Sequence, residues 1–554
     1  MWRSIKLTFN LLLSAAVFNY FVLILVLLLN PHIPVSAGEF LVMYLDIFVY
    51  YGPLWFILLG IIFLVIQFFA EKKYPIGVFS PPTITYFMSF NILAVAFFLF
   101  LNYDYYIEFF TPAAKADFIK ILLIQLALVI TGVLFIFFRK AHRKWIQVTF
   151  LLLFVFNIFY CYNTVLSHEQ AFAPRGLAES GGNNREISSR KTPPRKIKIV
   201  IMDGLSLNLI YALSSEQKLL NFNEVIKKGV SGKITGYKPN LALSLINTVF
   251  TGLKPSEFTL HSNTKFKFLK VTHEFDVRPR YIFFRKSTYL GVTSFYNKYD
   301  NDVPDHIKRQ YEQYHLQVVQ LIRPEVIPVY SEKSLRKNNR FIPFFSETLY
   351  QKDEKYQILK KAFFFDDYLM KSMRQHWVDP NVYYSVVHFP GVGIVSQYFY
   401  QYYDPHMGGN ISETDIKKYG WVIEKYYEYY ASIIGNLIST TGENELLVIL
   451  SFFEYEPLPV WRRILVNLFD QKDIYVYKSL SSQGSIILYE KNALKKDYPL
   501  KTISIYDIYP TLLYYSGFQF SQGMKGELLR EIFTDEFILN NPIDVDTGNK
   551  RFIQ

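Results

Sequence analysis

Five long apolar stretches in the first third of the chain, residues 5–29, 40–69, 84–101, 121–138 and 145–162, leave little choice of fold for that region. A helix needs roughly 20 residues to cross a hydrocarbon core about 30 Å thick, so transmembrane helices are expected over residues 1–162. The second stretch is too long for one span and too short for two. Gly52 and Pro53 at its middle predict a single kinked helix with an interfacial lead-in. A composition that is 51% hydrophobic and 18% aromatic agrees with a membrane protein.

The loops set the expected orientation, because cytoplasmic loops collect Lys and Arg. Arg3 and Lys6 precede the first stretch, Lys72 and Lys73 follow the second, and Arg139, Lys140, Arg143 and Lys144 separate the last two. All fall on one side of the membrane. The sequence therefore predicts a multi-pass protein of the cytoplasmic (inner) membrane, with its N-terminus inside and everything after the last span extracytoplasmic. The net charge of +12 comes partly from these loops and is otherwise scattered, which argues against nucleic acid and for attraction to membrane lipids. A single cysteine, Cys161, lies in an apolar run, so no intrachain disulfide can form.

Residues 163–195 lack apolar periodicity and collect Gly, Ser, Asn and Pro, which predicts a flexible linker. From "KIKIVIMDGLS" onward, strand-like and helix-like stretches alternate to about residue 540, followed by a short tail, 541–554. That pattern predicts an α/β domain over 196–540, a mostly parallel sheet with helices on both faces. "VYYSVVHF", "LLVILS" and "GSIILYE" read as further strands. A helix is expected from about Asp415 to Ile438, with Ser412 and Asp415 at capping-box spacing. "ISIYDIYPTLLYYSG" reads as a helix closed by Gly517. The stretch at about 265–377 is basic, aromatic and less regular, and is expected to be an insertion beside the sheet.

Taken in order, "VIMDGLS", "KPNLALSLINTVFTGLKPSE", "YYSVVHFPGVGIVSQYFYQYYDP", "ILSFFEYEP" and "ISIYDIYPTLLYYSGFQFSQGMKGELLREIF" resemble successive landmarks of the alkaline phosphatase superfamily, in its phosphodiesterase and nucleotide pyrophosphatase branch, with a sulfatase-like fold. The layout of spans followed by an outer domain is also similar to phosphoethanolamine transferases and lipoteichoic acid synthases. The resemblance implies two divalent metal ions held by Asp and His, and a Ser or Thr nucleophile. Carried over position by position, the first Asp is Asp203, and the nucleophile position is Ala242. The metal-binding Asp and His of the next motif fall on Gly393 and Gln397, and the following Asp-His pair falls on Phe452 and Phe453. The last expected His has no counterpart, since no histidine follows His406.

Ala, Gly and Phe cannot coordinate a divalent ion and Gln is a poor one, so no metal or other cofactor is expected. Asp203 is open to two readings, a residual ligand or a residue of the tight Asp-Gly turn. Ser244, close to the Ala242 position, is a candidate replacement hydroxyl or an ordinary residue near a helix start. Asp404 and His406 could form a separate metal pair or part of a Pro-Gly turn. The function expected is therefore that of a pseudoenzyme acting in binding or assembly at the cell envelope. Its partners would be membrane lipids, an envelope protein complex or an active paralogue. The alternative is an active phosphodiesterase or phosphoethanolamine-type transferase of envelope lipids or glycans, dependent on zinc or manganese.

Overall fold

The computed structural model describes residues 2–70, 81–137, 143–167, 194–239, 241–257, 264–275, 277–279, 293–297, 317–321, 353–405, 411–457, 476–478, 483–518 and 525–542. Two compact units emerge, one formed by residues 1–182 with 254–298 and the other by 183–253 with 299–554.

The first unit holds five long helices: α1 (Trp2–Leu29), α2 (Ala37–Ala70), α3 (Pro81–Tyr106), α4 (Pro112–Phe137) and α5 (Arg143–Ser167). Each contains a segment long and apolar enough to cross a membrane, and together they make this a multi-pass membrane protein. α2 runs as one helix through Pro53. α1 is the enclosed element. It packs against α2, α3 and α5, and every residue from 21 to 29 is buried. The other helices instead turn apolar side chains such as Leu123, Leu152 and Phe159 outward, as a lipid-facing surface requires.

The stretch expected as an insertion is divided between the units. β3 (Thr264–Phe268) and β4 (Thr293–Asn297) form an antiparallel pair in the first unit. Phe266, Phe268, Val271, Phe275 and Val277 join the apolar core of the long helices. The Asn30 amide donates to the Val277 carbonyl at 2.6 Å and accepts from the Val277 N–H at 2.8 Å. The Tyr106 hydroxyl adds a bond to the Arg278 carbonyl at 2.8 Å.

The second unit is built on a seven-stranded sheet in the order β11-β2-β10-β7-β1-β6-β5. Its strands are β1 (Lys196–Met202), β2 (Val230–Thr235), β5 (Gln317–Leu321), β6 (Val382–Phe389), β7 (Glu445–Ser451), β10 (Gln483–Tyr489) and β11 (Tyr498–Ser504). β10 alone runs antiparallel to both of its neighbours, and the remaining pairs are parallel. The near-continuous Val, Ile and Leu of β1 and β7 reflect burial on both faces. A small ribbon of β8 (Tyr455–Pro457) and β9 (Val476–Lys478) follows β7.

Around the sheet lie α6 (Leu207–Ser215), α7 (Leu220–Lys227), α8 (Ala242–Thr251), α9 (Glu354–Val378), α10 (Gly391–Tyr403), α11 (Glu413–Tyr419), α12 (Val422–Thr440), α13 (Ile508–Ser516) and α14 (Asp535–Asn540). Val200 and Met202 of β1 share a core with α6, α7, α9, α10 and α12. The alternate residues Ile199 and Ile201 point to the other face, where α13 meets β1 and packs with α8. The expected α/β architecture is thus observed.

The helix expected from Asp415 to Ile438 is two helices, α11 and α12. At Gly420 a Cβ would lie 2.7 Å from the Ile416 carbonyl and 3.1 Å from that of Tyr402, so only glycine permits the turn between them. Ser412 does cap the start, accepting from the Asp415 N–H at 3.1 Å. The linker expected at 163–195 lies mostly outside the described residues.

Candidate functional site

β1, β6 and β7 deliver their carboxyl ends to one edge of the sheet, where open α/β sheets place their ligands. Asp203 follows β1 directly, and its N–H donates to the Phe389 carbonyl at the end of β6, at 3.1 Å. Gly204 then turns the chain with φ +75°, a conformation that favours glycine. The turn is held from the β7 side as well. The Leu205 N–H donates to the Ser451 hydroxyl at 3.1 Å, and that hydroxyl donates to the Phe453 carbonyl at 3.0 Å. Ser485 of β10 donates to the Leu205 carbonyl at 2.8 Å.

Asp203 has a neighbour that the motifs did not reveal. His388 sits on β6 opposite Ile201, 1% exposed, with Nε2 3.0 Å from Asp203 Oδ1. The two atoms are in close contact without the alignment of a hydrogen bond. The only hint in the sequence is a lone histidine in the otherwise apolar "VVHF" strand.

Over this pair stands Tyr455, also missed. A Cβ at Gly204 would come within 2.5 Å of the Tyr455 ring, and one at Gly393 would lie 2.9 Å from the Asp203 Cβ and 3.2 Å from the Tyr455 hydroxyl. The two glycines therefore leave the room that the phenol takes up. Phe453 meets the Tyr455 ring edge-on at 5.6 Å, and Phe452 and Phe453 are themselves buried. Burial, and then the nearby Asp203 carboxylate, push the Tyr455 hydroxyl pKa up, so this phenol stays protonated.

A second acidic group lies behind α10. Asp366 of α9 is wholly buried; it accepts from the Tyr426 and Tyr430 hydroxyls at 2.8 Å each and from the Gly391 N–H at 3.2 Å. Burial pushes its carboxyl up to about 7, against the lowering effect of those three donors. Tyr430 also accepts from the Val392 N–H at 3.4 Å, so the cluster fixes the first turn of α10 and with it Gly393. Asp366 was invisible in the sequence because it lies in the irregular stretch.

The other described candidates lie on or at the ends of α8 and α10. Ala242 opens α8. Ser244 is fully buried, and its hydroxyl shares a hydrogen bond with that of Tyr237 at 2.8 Å, which also bonds Thr248 at 2.9 Å. Gln397 is half-buried one turn beyond Gly393. Asp404 ends α10, donating its N–H to the Tyr400 carbonyl at 2.9 Å, and His406 lies outside the described residues.

The described residues around Asp203 do not fit two divalent ions. Asp203 and His388 supply donors, but Gly393 has none, the Phe452 and Phe453 rings are buried, and the Tyr455 phenol fills the adjoining space. Among the described residues, no three or more His, Cys, Asp or Glu side chains are grouped so that they could hold a metal ion.

No known family profile matches the chain, and no curated protein does. Solved structures do resemble it. Murine ectonucleotide pyrophosphatase/phosphodiesterase 5 aligns at 11% identity and a TM-score of 0.37, over 61% of this chain and 100% of its own. Wild-type alkaline phosphatase PafA aligns at 11% identity and a TM-score of 0.38, over 62% and 100%. A phosphonate monoester hydrolase from Silicibacter pomeroyi aligns at 10% identity and a TM-score of 0.32, over 61% and 76%. Five apolar helices precede the α/β domain in the chain.

Proposed function

We propose that this is a membrane-anchored pseudoenzyme with an alkaline phosphatase-like domain that has lost two-metal phosphoryl transfer and serves binding or assembly at the cell envelope. The supporting observation is the Tyr455 phenol set over Asp203 in the space left by Gly204 and Gly393. A ring there stabilises the edge of the sheet by burial and excludes a hydrated phosphoryl group. In this reading the N-terminus faces the cytoplasm and the α/β domain lies outside the inner membrane, where its partners are lipids, an envelope complex or an active paralogue.

One observation favours the alternative, an active phosphodiesterase or phosphotransferase: the Asp203–His388 pair keeps an acid and an imidazole 3.0 Å apart. The test is hydrolysis of bis(p-nitrophenyl) phosphate by the full-length protein in detergent with zinc, manganese or magnesium. The pseudoenzyme reading expects no turnover above a protein-free blank. Turnover abolished by Asp203→Ala would replace it with the enzyme reading.

A further inference from the structure

The membrane helices carry buried amide side chains well beyond what an inert anchor needs. Gln125 of α4 and Asn157 of α5 are 0% exposed and lie near the centres of their spans, Pro112–Leu134 and Trp145–Ser167. Gln125 Nε2 donates to Asn157 Oδ1 at 3.0 Å, and the Cys161 thiol donates to the same oxygen at 3.3 Å. Half of each amide is thereby used. Gln125 Oε1 and Asn157 Nδ2 have no hydrogen-bond partner among the described residues. Asn19 Oδ1 of α1 and Asn91 Nδ2 of α3 are in the same condition, and both side chains are fully buried.

In hydrocarbon an unpaired polar group costs several kcal/mol, because neither lipid nor bulk water can satisfy it. An interhelical amide pair serving only as glue has no need of two such unpaired groups. The complement they present is specific: one acceptor, Gln125 Oε1, and one donor, Asn157 Nδ2, joined through an existing bond. Turning both amides over leaves the same complement. Among the described residues of the membrane helices, no carboxylate or cationic side chain is fully buried, so an ion is not matched.

We infer that Gln125 and Asn157 form an intramembrane site for a single neutral hydroxyl oxygen, which donates to Gln125 and accepts from Asn157. Two sources share that chemistry, a water molecule held inside the bundle or the hydroxyl of a lipid alcohol. The level of the site on α5 is fixed against α1 by the Tyr20 hydroxyl, which donates to the Ile158 carbonyl at 2.6 Å.

The test is solid-state NMR of the full-length, 15N-labelled chain in phosphatidylcholine bilayers, with and without dioleoylglycerol. The Asn157 side-chain amide is assigned by its loss in Asn157→Leu. Water-edited spectra are expected to show magnetisation passing from water to that amide in plain bilayers, and Gln125→Leu is expected to abolish the transfer. Transfer from the lipid hydroxyl, present only with dioleoylglycerol, would name the lipid alcohol as source. No transfer in either membrane would overturn the site, and transfer that persists undiminished in Gln125→Leu would overturn the bridging geometry.

Discussion

A phenol ring set over Gly204 and Gly393 cannot be shortened without leaving a hole beside Asp203. Tyr455→Ala is therefore expected to cost roughly 2–4 kcal/mol of stability. Added phenol is expected to recover part of the lost melting temperature by refilling the hole, which differential scanning fluorimetry would register. Gly393→Asp, which would place a carboxylate beside Asp203, should destabilise the fold, since its Cβ starts 2.9 Å from that of Asp203. Asp366 gives a pH signature. Its ordinary value is 3.8 and its folded value about 7, so the folded state binds the proton more tightly. That contribution to stability is full below the ordinary value and is lost as pH rises through about 7. Asp366→Asn, already neutral, should flatten the melting temperature across that window, and an unchanged pH profile would refute the assignment.

At the scale of elements, the C-terminal landmark turns out to be a clasp. The Asp507 carboxylate accepts from the Ser504 N–H at its own helix start and from the Glu527 N–H across the loop, both at 2.8 Å. The Thr511 hydroxyl accepts from the Leu529 N–H at 3.1 Å, and a Cβ at Gly526 would meet the Tyr506 carbonyl at 1.9 Å. Asp507→Ala leaves the Ser504 and Glu527 N–H groups without their acceptor and should cost about 1–3 kcal/mol, read by chemical denaturation. The strands and helices that bear such patterns were legible in the sequence: β1 and β6 fall where their apolar runs predict, and Gly517 ends α13 in the left-handed conformation. The stretch from 264 to 279 was not legible. Its Phe266, Phe268 and Phe275 have no helical or strand period long enough to show that their partners are the membrane helices. A fragment beginning after α5 would expose those rings, so it is expected to aggregate in size-exclusion chromatography where the full chain does not.

At the scale of the whole molecule, the sequence placed the motif residues along the chain but not the side chains that surround Asp203. Phe452 and Phe453 could be read off a motif; Tyr455 comes to Asp203 through the pairing of β7 with β1, His388 through that of β6 with β1, and Asp366 comes to α10 through the packing of α9. Orientation rests on loop charge, and Lys361→Cys tests it. This exposed position on α9 should react with a membrane-impermeant maleimide in intact cells, whereas protection until lysis would place the α/β domain inside. The central claim, that the Asp203 edge is filled rather than built for two metals, is tested most directly by metal binding. Full-length protein, purified in detergent without chelator, would be incubated with zinc, manganese or magnesium and measured for metal content and melting temperature. The account predicts no stoichiometric metal and an unchanged melting temperature. Tightly bound ions in stoichiometric amount, with a raised melting temperature that Asp203→Ala removes, would contradict it.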